Sequence, residues 1–244
     1  MAMSDNGASA EGGPHGTYDH QRSRNGFGTT VEANLARLED MGGPFTYNNY
    51  PFGWAMAGNT PFKRYKGNTY AGGIRAPLLI RWPDGIAAKG ETRRQFYHAV
   101  DVVPTLIDLL GMPMPDQVLG VPQMPLHGTS MARTLNDNSA ETGKKIQYFE
   151  TIGQRALWHE GWKAVTFHER DTSFDDDVWE LYHLDEDLAE LNNLAEAHPA
   201  KLEELIELWW REAERYGVLP LDDLNLRKGV GWWPERKDRW VLYQ

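Results

Sequence analysis

The chain has 244 residues, of which 25 are Lys or Arg, 35 are Asp or Glu, and 41% are hydrophobic. This is the composition of an ordinary globular protein, and it excludes collagen, a coiled coil and wholesale disorder. The net charge of -10 argues against a nucleic-acid partner, since binding phosphates takes a basic surface, and the lack of cysteine excludes disulfides and a cysteine nucleophile.

Membrane and export signals are also missing from the sequence. The most apolar stretch, 99–112, is interrupted by charge and is shorter than the roughly 20 residues that span a bilayer. The first residues lack the basic and apolar regions of a signal peptide. We therefore expect a soluble chain without a membrane partner. Its compartment stays open between cytoplasm and periplasm, because any targeting signal would lie on a longer parent protein.

Two irregular segments and one helix are predicted before residue 60. Residues 4–30 are rich in Gly, Asn, Ser and His and have no apolar period, which predicts a loop. Thr29 and Glu32 have the spacing of a capping box at the start of a helix. Residues 42–60 form a second, aromatic loop, which either lines a pocket for an aryl group or packs over the edge of the domain. The helix is predicted from apolar residues at helical spacing: Val31, Leu35 and Leu38.

The middle of the chain is predicted to contain one strand, one helix and an extended segment. The apolar run 76–82 predicts a strand covered on both faces. Pro104 and Gly111 bracket a helix over 105–110. The proline-rich segment 111–138 is predicted to run extended over the surface.

From Ile146 onward, the pattern predicts a small antiparallel sheet covered by one helix. A tight hairpin turn is expected at His159-Glu160-Gly161. Pro199 begins the clearest helix in the chain and Gly217 ends it, with Trp209 on the core stripe and Trp210 at its border. The predicted strands are 146–151, 155–159, 162–168 and 178–184.

Both ends of the chain look cut. Only Met1–Met3 precede a polar turn, whereas a core strand takes about five residues. Residues 239–244 resemble the first strand of a further module, and a tail with Trp232, Trp233 and Trp240 calls for a partner surface. We predict three parts: residues 1–140, which the resemblance described below assigns to the C-terminal portion of an α/β domain, a small antiparallel α+β subdomain over 141–217, and a tail over 218–244 that begins a truncated further module.

Two oxygen donors near the start are candidate metal ligands. Asp5 and Asn6 offer a carboxylate and an amide oxygen side by side, which suits calcium or magnesium better than softer metals. Gly7 allows a positive φ for a sharp turn. The alternative is that Asp5-Asn6-Gly7 is an ordinary turn.

A basic cluster is the candidate anion site. A lysine ammonium donates to anionic oxygens and stabilises developing negative charge, so the cluster is suited to sulfate or phosphate. The alternative is a solvated basic turn before a strand. Its members are Lys63, Arg64, Lys66 and Arg75.

Other charged groups are weaker candidates. Asp175-Asp176-Asp177 is either a second cation site or, as we expect, a solvated acidic turn. His15 and His20 lie in the first loop, and we expect surface roles for both.

Several segments occur in the order seen in bacterial arylsulfatases, and the resemblance covers nearly the whole chain. Two further stretches, 42–57 and 158–162, resemble the large arylsulfatases of actinobacteria in particular. The segments shared more widely are Ser4-Asp5-Asn6-Gly7-Ala8, Asn59-Thr60-Pro61-Phe62-Lys63-Arg64-Tyr65-Lys66, Ala71-Gly72-Gly73-Ile74-Arg75-Ala76-Pro77 and Asp101-Val102-Val103-Pro104-Thr105-Leu106.

The resemblance implies a partial alkaline-phosphatase-like sheet with helices on both faces, followed by a small antiparallel sheet plus helix. It implies that Asp5 and Asn6 are two of the ligands of one calcium ion. By the same resemblance, Lys66 contacts the sulfate and its leaving oxygen, so it is both a catalytic and a substrate-binding residue. The family hydrolyses sulfate esters with a formylglycine hydrate as the nucleophile.

The sequence departs from that family in ways that matter for activity. Formylglycine is made from a Cys/Ser-x-Pro-x-Arg motif, and this chain has no Cys and no Ser-x-Pro-x-Arg. The remaining calcium ligands lie in the family's N-terminal half, which is missing here. Position 71 is Ala, where relatives commonly carry Glu or Gln. We therefore predict an arylsulfatase fragment with an incomplete calcium site that is inactive alone, whose partners are a sulfate-ester small molecule and the missing N-terminal half.

Two alternatives remain open at this point. One is a non-catalytic, aromatic-rich module that binds a partner through Trp232, Trp233, Trp240 and the aromatic loop. The other is a phosphoester or phosphonate hydrolase of the same superfamily, which shares the metal-and-anion arrangement.

Overall fold

The computed structural model describes residues 1–25, 27–87 and 90–223. These residues form two compact units, one of 1–2 and 79–147, the other of 3–78 and the described residues from 148 onward. Short 3-10 turns lie at Leu38–Asp40, Ala99–Asp101 and Phe174–Asp176. The helices and strands, in chain order, are β1 (Ala2–Met3), α1 (His20–Arg24), α2 (Val31–Leu35), α3 (Phe52–Asn59), α4 (Ala71–Ile74), β2 (Leu78–Leu79), α5 (Val102–Leu110), β3 (Gln117–Val118), β4 (Val121–Pro122), α6 (Ala132–Leu135), β5 (Ile146–Thr151), β6 (Gln154–His159), β7 (Trp162–Thr166), β8 (Trp179–His183) and α7 (Pro199–Arg215).

Strands β5 to β8 form a four-stranded sheet in the order β5-β6-β7-β8, with antiparallel pairing from β6 to β8. β6 and β7 are joined by the two residues Glu160 and Gly161, whose φ angles are 48° and 88°. Two consecutive positive φ angles define the tight turn that matches the twist of a hairpin. The predicted sheet and turn are therefore confirmed.

The two faces of this sheet have different partners. Side chains alternate along a strand, so Glu180 and Tyr182 of β8 share a face, and Lys163 lies directly opposite Tyr182 on β7. On that face, Tyr70 packs into a core with Tyr182. The opposite face packs on α7, where the Trp209 ring lies 6.3 Å from that of Trp179.

Helix α7 has the boundaries that the sequence predicts. Pro199 occupies the first turn, and Gly217 follows the helix with a φ of 70°. Trp209 is fully buried and donates from its indole N–H to the carbonyl oxygen of Phe149 at 3.0 Å, whereas Trp210 is 39% exposed. The placement of Trp209 in the core and Trp210 at its border is confirmed.

The N-terminal helices differ from expectation. The cap of α2 is Thr30, which accepts from the N–H of Ala33, and not Thr29 as predicted. Helix α3 lies inside the segment predicted as an aromatic loop. Ala55 is the fully buried residue of α3, packed with Tyr65 in a small core. A helix that buries one alanine does not need an apolar stripe, so the sequence carries no helical period here.

In the unit of 1–2 and 79–147, α5 is the predicted helix, and it ends at Gly111 with a φ of 61°. The predicted strand over 76–82 is limited to Leu78–Leu79, which spans the boundary between the two units, and Leu79 is 65% exposed, so the prediction of a strand covered on both faces is wrong. The segment predicted to run extended, 111–138, contains the β3–β4 hairpin and the short helix α6. A fully buried Asp101 organises the packing, with an ion pair to Lys144 at 2.9 Å.

The predicted fold class is confirmed as mixed α/β, with a small antiparallel sheet plus helix in its C-terminal part. The domain bounds 1–140, 141–217 and 218–244 stay predictions. Most of the predicted tail, including its three tryptophans, falls on 224–244, outside the described residues. Among the helices described, none combines the length and the apolar character needed to cross a bilayer.

Candidate active site

The segment that carries Asp5 and Asn6 is tied to the loop that carries Lys66. The N–H of Lys66 donates to the carbonyl oxygen of Ala8 at 3.0 Å, and the N–H of Gly7 donates to the carbonyl oxygen of Gly73 at 3.0 Å. The structure therefore brings the two sequence-predicted segments, sixty residues apart, to one place. These contacts are made by backbone atoms, so they fix the path of both segments.

Asn59 connects the same two segments through its side chain. Its amide oxygen accepts from the N–H of Ala8 at 3.1 Å, while its amide nitrogen donates to the carbonyl oxygens of Arg64 and Gly72 at 2.9 and 2.8 Å. One amide thus satisfies three backbone groups. This is a structural role for the first residue of the motif 59–66.

A glycine is needed at position 7 because two backbone segments approach each other closely there, and not because of its φ angle. A Cβ atom added to Gly7 would lie 1.7 Å from the carbonyl oxygen of Gly72, so no larger residue fits without movement of the backbone. Gly7 is not among the residues with positive φ, so the predicted left-handed conformation is wrong. The glycine instead lets two backbone segments touch.

Lys66 lies in a cluster of charged side chains. Its ammonium nitrogen is 3.3 Å from Oε1 of Glu11, whose Oε2 is 3.9 Å from Nε2 of His20. The side chain of Lys66 is 39% exposed, that of Glu11 21% and that of His20 only 3%. The ammonium therefore remains open to solvent or a ligand on one side while Glu11 holds it on the other.

The protonation of Glu11 is coupled to this cluster. Burial opposes its ionisation, but the Lys66 charge and hydrogen bond, His20 and a hydrogen bond from Ser9 outweigh burial and hold the pKa of Glu11 below its ordinary value. Glu11 is therefore an anion at neutral pH. It orients a cation that is available for an external oxyanion.

Asp5 and Asn6 have oxygen atoms of the kind that a hard cation prefers. The Asn6 amide nitrogen donates to the carbonyl oxygen of Gly7 at 2.7 Å, which leaves its amide oxygen as an acceptor. Asp5 is exposed. Calcium takes about 6 to 8 oxygen ligands, so these two fit as part of a ligand set. Within the described residues, no group of three or more His, Asp or Glu side chains is placed to hold a metal ion.

The other members of the basic cluster do not share the contacts of Lys66. The ammonium of Lys63 donates to the Tyr182 hydroxyl at 2.7 Å. The Arg64 guanidinium lies over the rings of Phe167 and Tyr70, and that of Arg75 lies over the ring of Phe62. The four cations do not converge on one point.

The turn after Lys66 is supported by a buried ion pair that the sequence analysis did not identify. Glu190 is fully buried and accepts from the N–H of Ala71 at 2.8 Å. Its other oxygen pairs with the ammonium of Lys163, which is also buried. The backbone at position 71 is thus held by a carboxylate from a distant part of the chain.

Three further expectations can be compared with the structure. His15 is exposed as predicted, but His20 is buried, so its predicted surface role is wrong. Asp177 is not solvated, because it pairs with the buried Arg155 and His168, while Asp175 and Asp176 are exposed.

Glu11 and Glu190 are the site residues that sequence reasoning missed. Glu11 is six residues after Asp5 in the same loop, but its partner Lys66 is 55 residues away, so local spacing does not signal the pair. Glu190 lies in an acidic segment that offers no local signal for its partner 27 residues away.

Two family models match this chain. The model described as "Sulfatase" matches residues 1–112, and the model described as "N-sulphoglucosamine sulphohydrolase, C-terminal" matches residues 63–212. The first contains Asp5, Asn6 and Lys66, and the second contains the four-stranded sheet and α7 as far as residue 212.

Similar curated proteins are sulfatases. An uncharacterized sulfatase of Schizosaccharomyces pombe is 30% identical over 80% of this chain and 35% of its own length. A sulfatase of Formosa agariphila is 28% identical over 59% of this chain and 27% of its own length. Human arylsulfatase A is 38% identical over 37% of this chain and 18% of its own length. The chain thus spans about a third or less of these relatives.

A solved structure has a fold similar to that of this chain. The crystal structure of Ps i-CgsB in complex with k-i-k-neocarrahexaose is 24% identical, with a TM-score of 0.51 over 71% of this chain and 36% of that chain. The shared fold is the alkaline-phosphatase-like fold of sulfatases. Because the second family model alone matches more than half of the residues, and the two together reach from residue 1 to residue 212, the chain belongs to the sulfatase family.

Proposed function

We propose that this chain carries the C-terminal part of the catalytic region of a calcium-dependent arylsulfatase, an enzyme that hydrolyses sulfate esters. Asp5 and Asn6 supply two oxygen ligands to one calcium ion, and Lys66 binds the sulfate. The observation that supports the proposal is the pair of backbone hydrogen bonds that joins the 5–8 segment to the loop of Lys66. We propose that the parent enzyme is of the type of the large actinobacterial arylsulfatases, because segments 42–57 and 158–162 of this chain resemble them.

Each residue has a definite role in this proposal. The Lys66 ammonium donates to a sulfate oxygen and to the leaving oxygen, where negative charge grows as the S–O bond breaks. Glu11 positions that ammonium through the 3.3 Å contact. Calcium, when bound, withdraws charge from the sulfate oxygens. The remaining calcium ligands and the nucleophile come from the N-terminal half of the parent protein.

The first experiment measures hydrolysis of 4-nitrophenyl sulfate by the purified chain. We expect no turnover, because charge stabilisation does not replace a positioned nucleophile. Hydrolysis that a chelator abolishes would contradict the assignment of this chain as a part without its nucleophile. Reading the DNA upstream of Met1 for an open frame with a Cys/Ser-x-Pro-x-Arg motif then identifies the parent protein. A gene that starts at Met1 would remove the basis of the proposal.

The second experiment uses that parent. Lys66→Ala is expected to lower turnover by about 100- to 1,000-fold, the scale of losing one donor to a transition-state charge. The matched control is Lys201→Ala, which removes a lysine on α7 that pairs with Glu204. Equal activity of the two variants would exclude a catalytic role for Lys66.

Calcium and the ester type are tested in the same parent. Asp5→Asn is expected to raise the calcium concentration needed for half-maximal activity by at least about tenfold, because a carboxylate ligand is lost. Asp84→Asn, at an exposed carboxylate elsewhere in the chain, is the control. Hydrolysis of 4-nitrophenyl phosphate in preference to the sulfate would favour the phosphoester alternative instead.

A further inference from the structure

A cavity of about 390 Å³ lies beside the loop of Lys63 and Arg64. This volume is in the range of small-molecule sites. Lys66, Asp5 and Asn6 do not line it, so its ligand does not depend on the hydrolysis proposed above. Its lining consists of Phe52, Met56, Lys63, Arg64, Tyr65, Tyr70 and Glu180.

One wall of the cavity is apolar and only partly covered. Phe52 and Met56 are one helical turn apart on α3, and each is 43% exposed. Tyr65 and Tyr70 add two buried aromatic side chains. An apolar ring in the cavity would cover the exposed parts of Phe52 and Met56, and burial of apolar surface is favourable.

Lys63 and Glu180, two of the three charged side chains in the wall, have opposite charges and lie close together. Oε2 of Glu180 accepts from the hydroxyls of Tyr70 and Tyr182 at 3.0 and 2.5 Å, and it lies 3.8 Å from the Lys63 ammonium. Burial, followed by the Glu180 charge, raises the pKa of Tyr70, so this hydroxyl stays protonated. Burial and the hydrogen bond to Glu180 likewise raise the pKa of Tyr182. Both hydroxyls therefore remain donors to Glu180.

Arg64 is the third charged group, and among the residues that the structure describes it forms no ion pair with an acid. Its guanidinium lies 4.0 Å from the centroid of the Phe167 ring and 5.3 Å from that of Tyr70. Stacking on rings uses the faces of the guanidinium and leaves its in-plane N–H donors available. Within the described residues, no carboxylate or carbonyl oxygen accepts a hydrogen bond from this side chain.

The backbone holds Arg64 in this position against a conformational cost. Its φ is 61°, a left-handed value that is uncommon for a residue with a side chain. Its carbonyl oxygen accepts from the Asn59 amide, and a Cβ on Gly72 would lie 2.1 Å from the same oxygen. Strained residues that their surroundings fix in this way occur at ligand-binding positions.

We propose that this cavity binds a small ring-bearing oxyanion, a carboxylate or a sulfate or sulfonate on an aromatic or cyclic body. Arg64 donates to the oxyanion, and Phe52 and Met56 pack against the ring. The geometry thus combines a cation whose N–H donors are available with an apolar wall that a ring would cover.

The test is a titration of the purified chain with sodium benzoate, followed by NMR of ¹³C-methyl-labelled methionine. The chain has 8 methionines, and a Met56→Leu variant assigns the resonance of Met56. We expect the Met56 methyl to shift saturably with a Kd of about 1 mM, a scale suited to a ligand of this size. The buried Met131 methyl, in the other unit, is the internal control and should not move.

Two other probes separate the charge from the ring. Benzamide has the ring without the charge, and inorganic sulfate has the charge without the ring. Each should bind at least about 10-fold more weakly than benzoate, since each lacks one of the two interactions. Benzenesulfonate against benzoate shows which oxyanion is preferred. These measurements on the wild-type chain are enough to overturn the proposal. It is wrong if benzoate does not shift the Met56 methyl resonance, or if sulfate or benzamide binds as tightly as benzoate.

Variants then test the assignment of Arg64. Arg64→Gln should weaken benzoate binding about 10-fold through loss of a charge-assisted hydrogen bond. The matched control is Arg215→Gln, at a side chain of α7 that is 64% exposed, which should leave binding unchanged. Benzoate binding that is unchanged in a folded Arg64→Gln chain would remove Arg64 from the site and refute the proposal.

Discussion

The carboxylate of Glu11 lies 3.3 Å from the ammonium of Lys66, on two segments that a backbone hydrogen bond between Lys66 and Ala8 already joins. This contact makes the candidate anion-binding lysine part of an ion pair. Lys66 is 39% exposed, so the pair is worth less than about 1 kcal/mol in stability. The pair matters because Glu11 orients the Lys66 ammonium.

Glu11→Gln tests this pair through the pH dependence of stability. The pKa of Glu11 is lowered in the folded chain, so its ionised form stabilises the fold above the ordinary glutamate pKa of about 4.3. That contribution is lost as the pH falls through the lowered pKa. In urea unfolding, wild type should be more stable than Glu11→Gln at pH 7, and the difference should shrink below pH about 4.

The control for this measurement is Glu203→Gln, at an exposed residue of α7. It should differ from wild type by less than about 0.5 kcal/mol at neutral pH. A Glu11→Gln chain whose deficit is the same at both pH values would show that Glu11 acts through packing and not through its charge.

Glu190→Gln tests the buried ion pair with Lys163. Burial lowers the pKa of Lys163, and the Glu190 charge opposes that shift. Loss of the partner leaves a buried ammonium uncompensated, so we expect a loss of about 3–5 kcal/mol in the free energy of unfolding. Gln keeps an acceptor for the N–H of Ala71, which isolates the effect of charge. Urea unfolding measures the change.

Two comparisons sharpen the interpretation of Glu190→Gln. Glu204→Gln breaks the partly exposed pair with Lys201 and should cost less than about 0.5 kcal/mol. The double variant Lys163→Met with Glu190→Gln removes both charges and should recover part of the loss. A double variant no more stable than Glu190→Gln would contradict a penalty from the unpaired Lys163.

Local sequence patterns were sufficient for the C-terminal sheet and α7. Their signals are short-range: alternation along strands, the turn at His159-Glu160-Gly161, and Pro199 and Gly217 at the ends of the helix. The α/β fold of the rest of the chain was implied by the resemblance to arylsulfatases and not by these local signals. Helix α3 has no such signal, because Ala55 is the residue that it buries completely and its aromatic residues stay exposed.

The candidate site was predicted only in part, because some of its contacts join residues that are far apart in the sequence. Asp5, Asn6 and Lys66 stand in recognisable motifs, and the backbone contacts of Gly7 and Ala8 bring those motifs together. The partners that hold the loop come from elsewhere in the chain. Glu190 accepts a hydrogen bond from the N–H of Ala71, which is 119 residues away in the sequence. Local residue spacing cannot predict a contact over that separation.

Trp209→Ala is expected to be among the most destabilising single changes in α7. The side chain is fully buried and makes an indole hydrogen bond to the carbonyl oxygen of Phe149. Its removal leaves a large cavity, for which we expect a loss of about 3–5 kcal/mol in urea unfolding. Trp210→Ala, one position along and 39% exposed, should cost about 1 kcal/mol or less. Equal losses would show that α7 presents a different face to the sheet.

Gly7→Ala tests whether the close approach of two backbones holds the candidate site together. The added methyl would lie 1.7 Å from the Gly72 carbonyl oxygen, a distance that only backbone movement relieves. Such overpacking costs about 1–3 kcal/mol, and the movement would separate the segment of Asp5 and Asn6 from the loop of Lys66. We expect lower stability in urea and, in hydrogen exchange, faster exchange of the Lys66 amide, which donates to Ala8.

Gly28→Ala is the matched control, because a Cβ on Gly28 would have no atom within 4 Å. That variant should match or slightly exceed wild type in stability, since Ala restricts the unfolded chain more than Gly does. Slow exchange of the Lys66 amide in a destabilised Gly7→Ala chain would place the strain elsewhere and show that the two segments stay joined without this glycine. Fast exchange in Gly7→Ala alone would identify the Gly7–Gly72 contact as the feature that positions the oxygen donors beside the lysine loop.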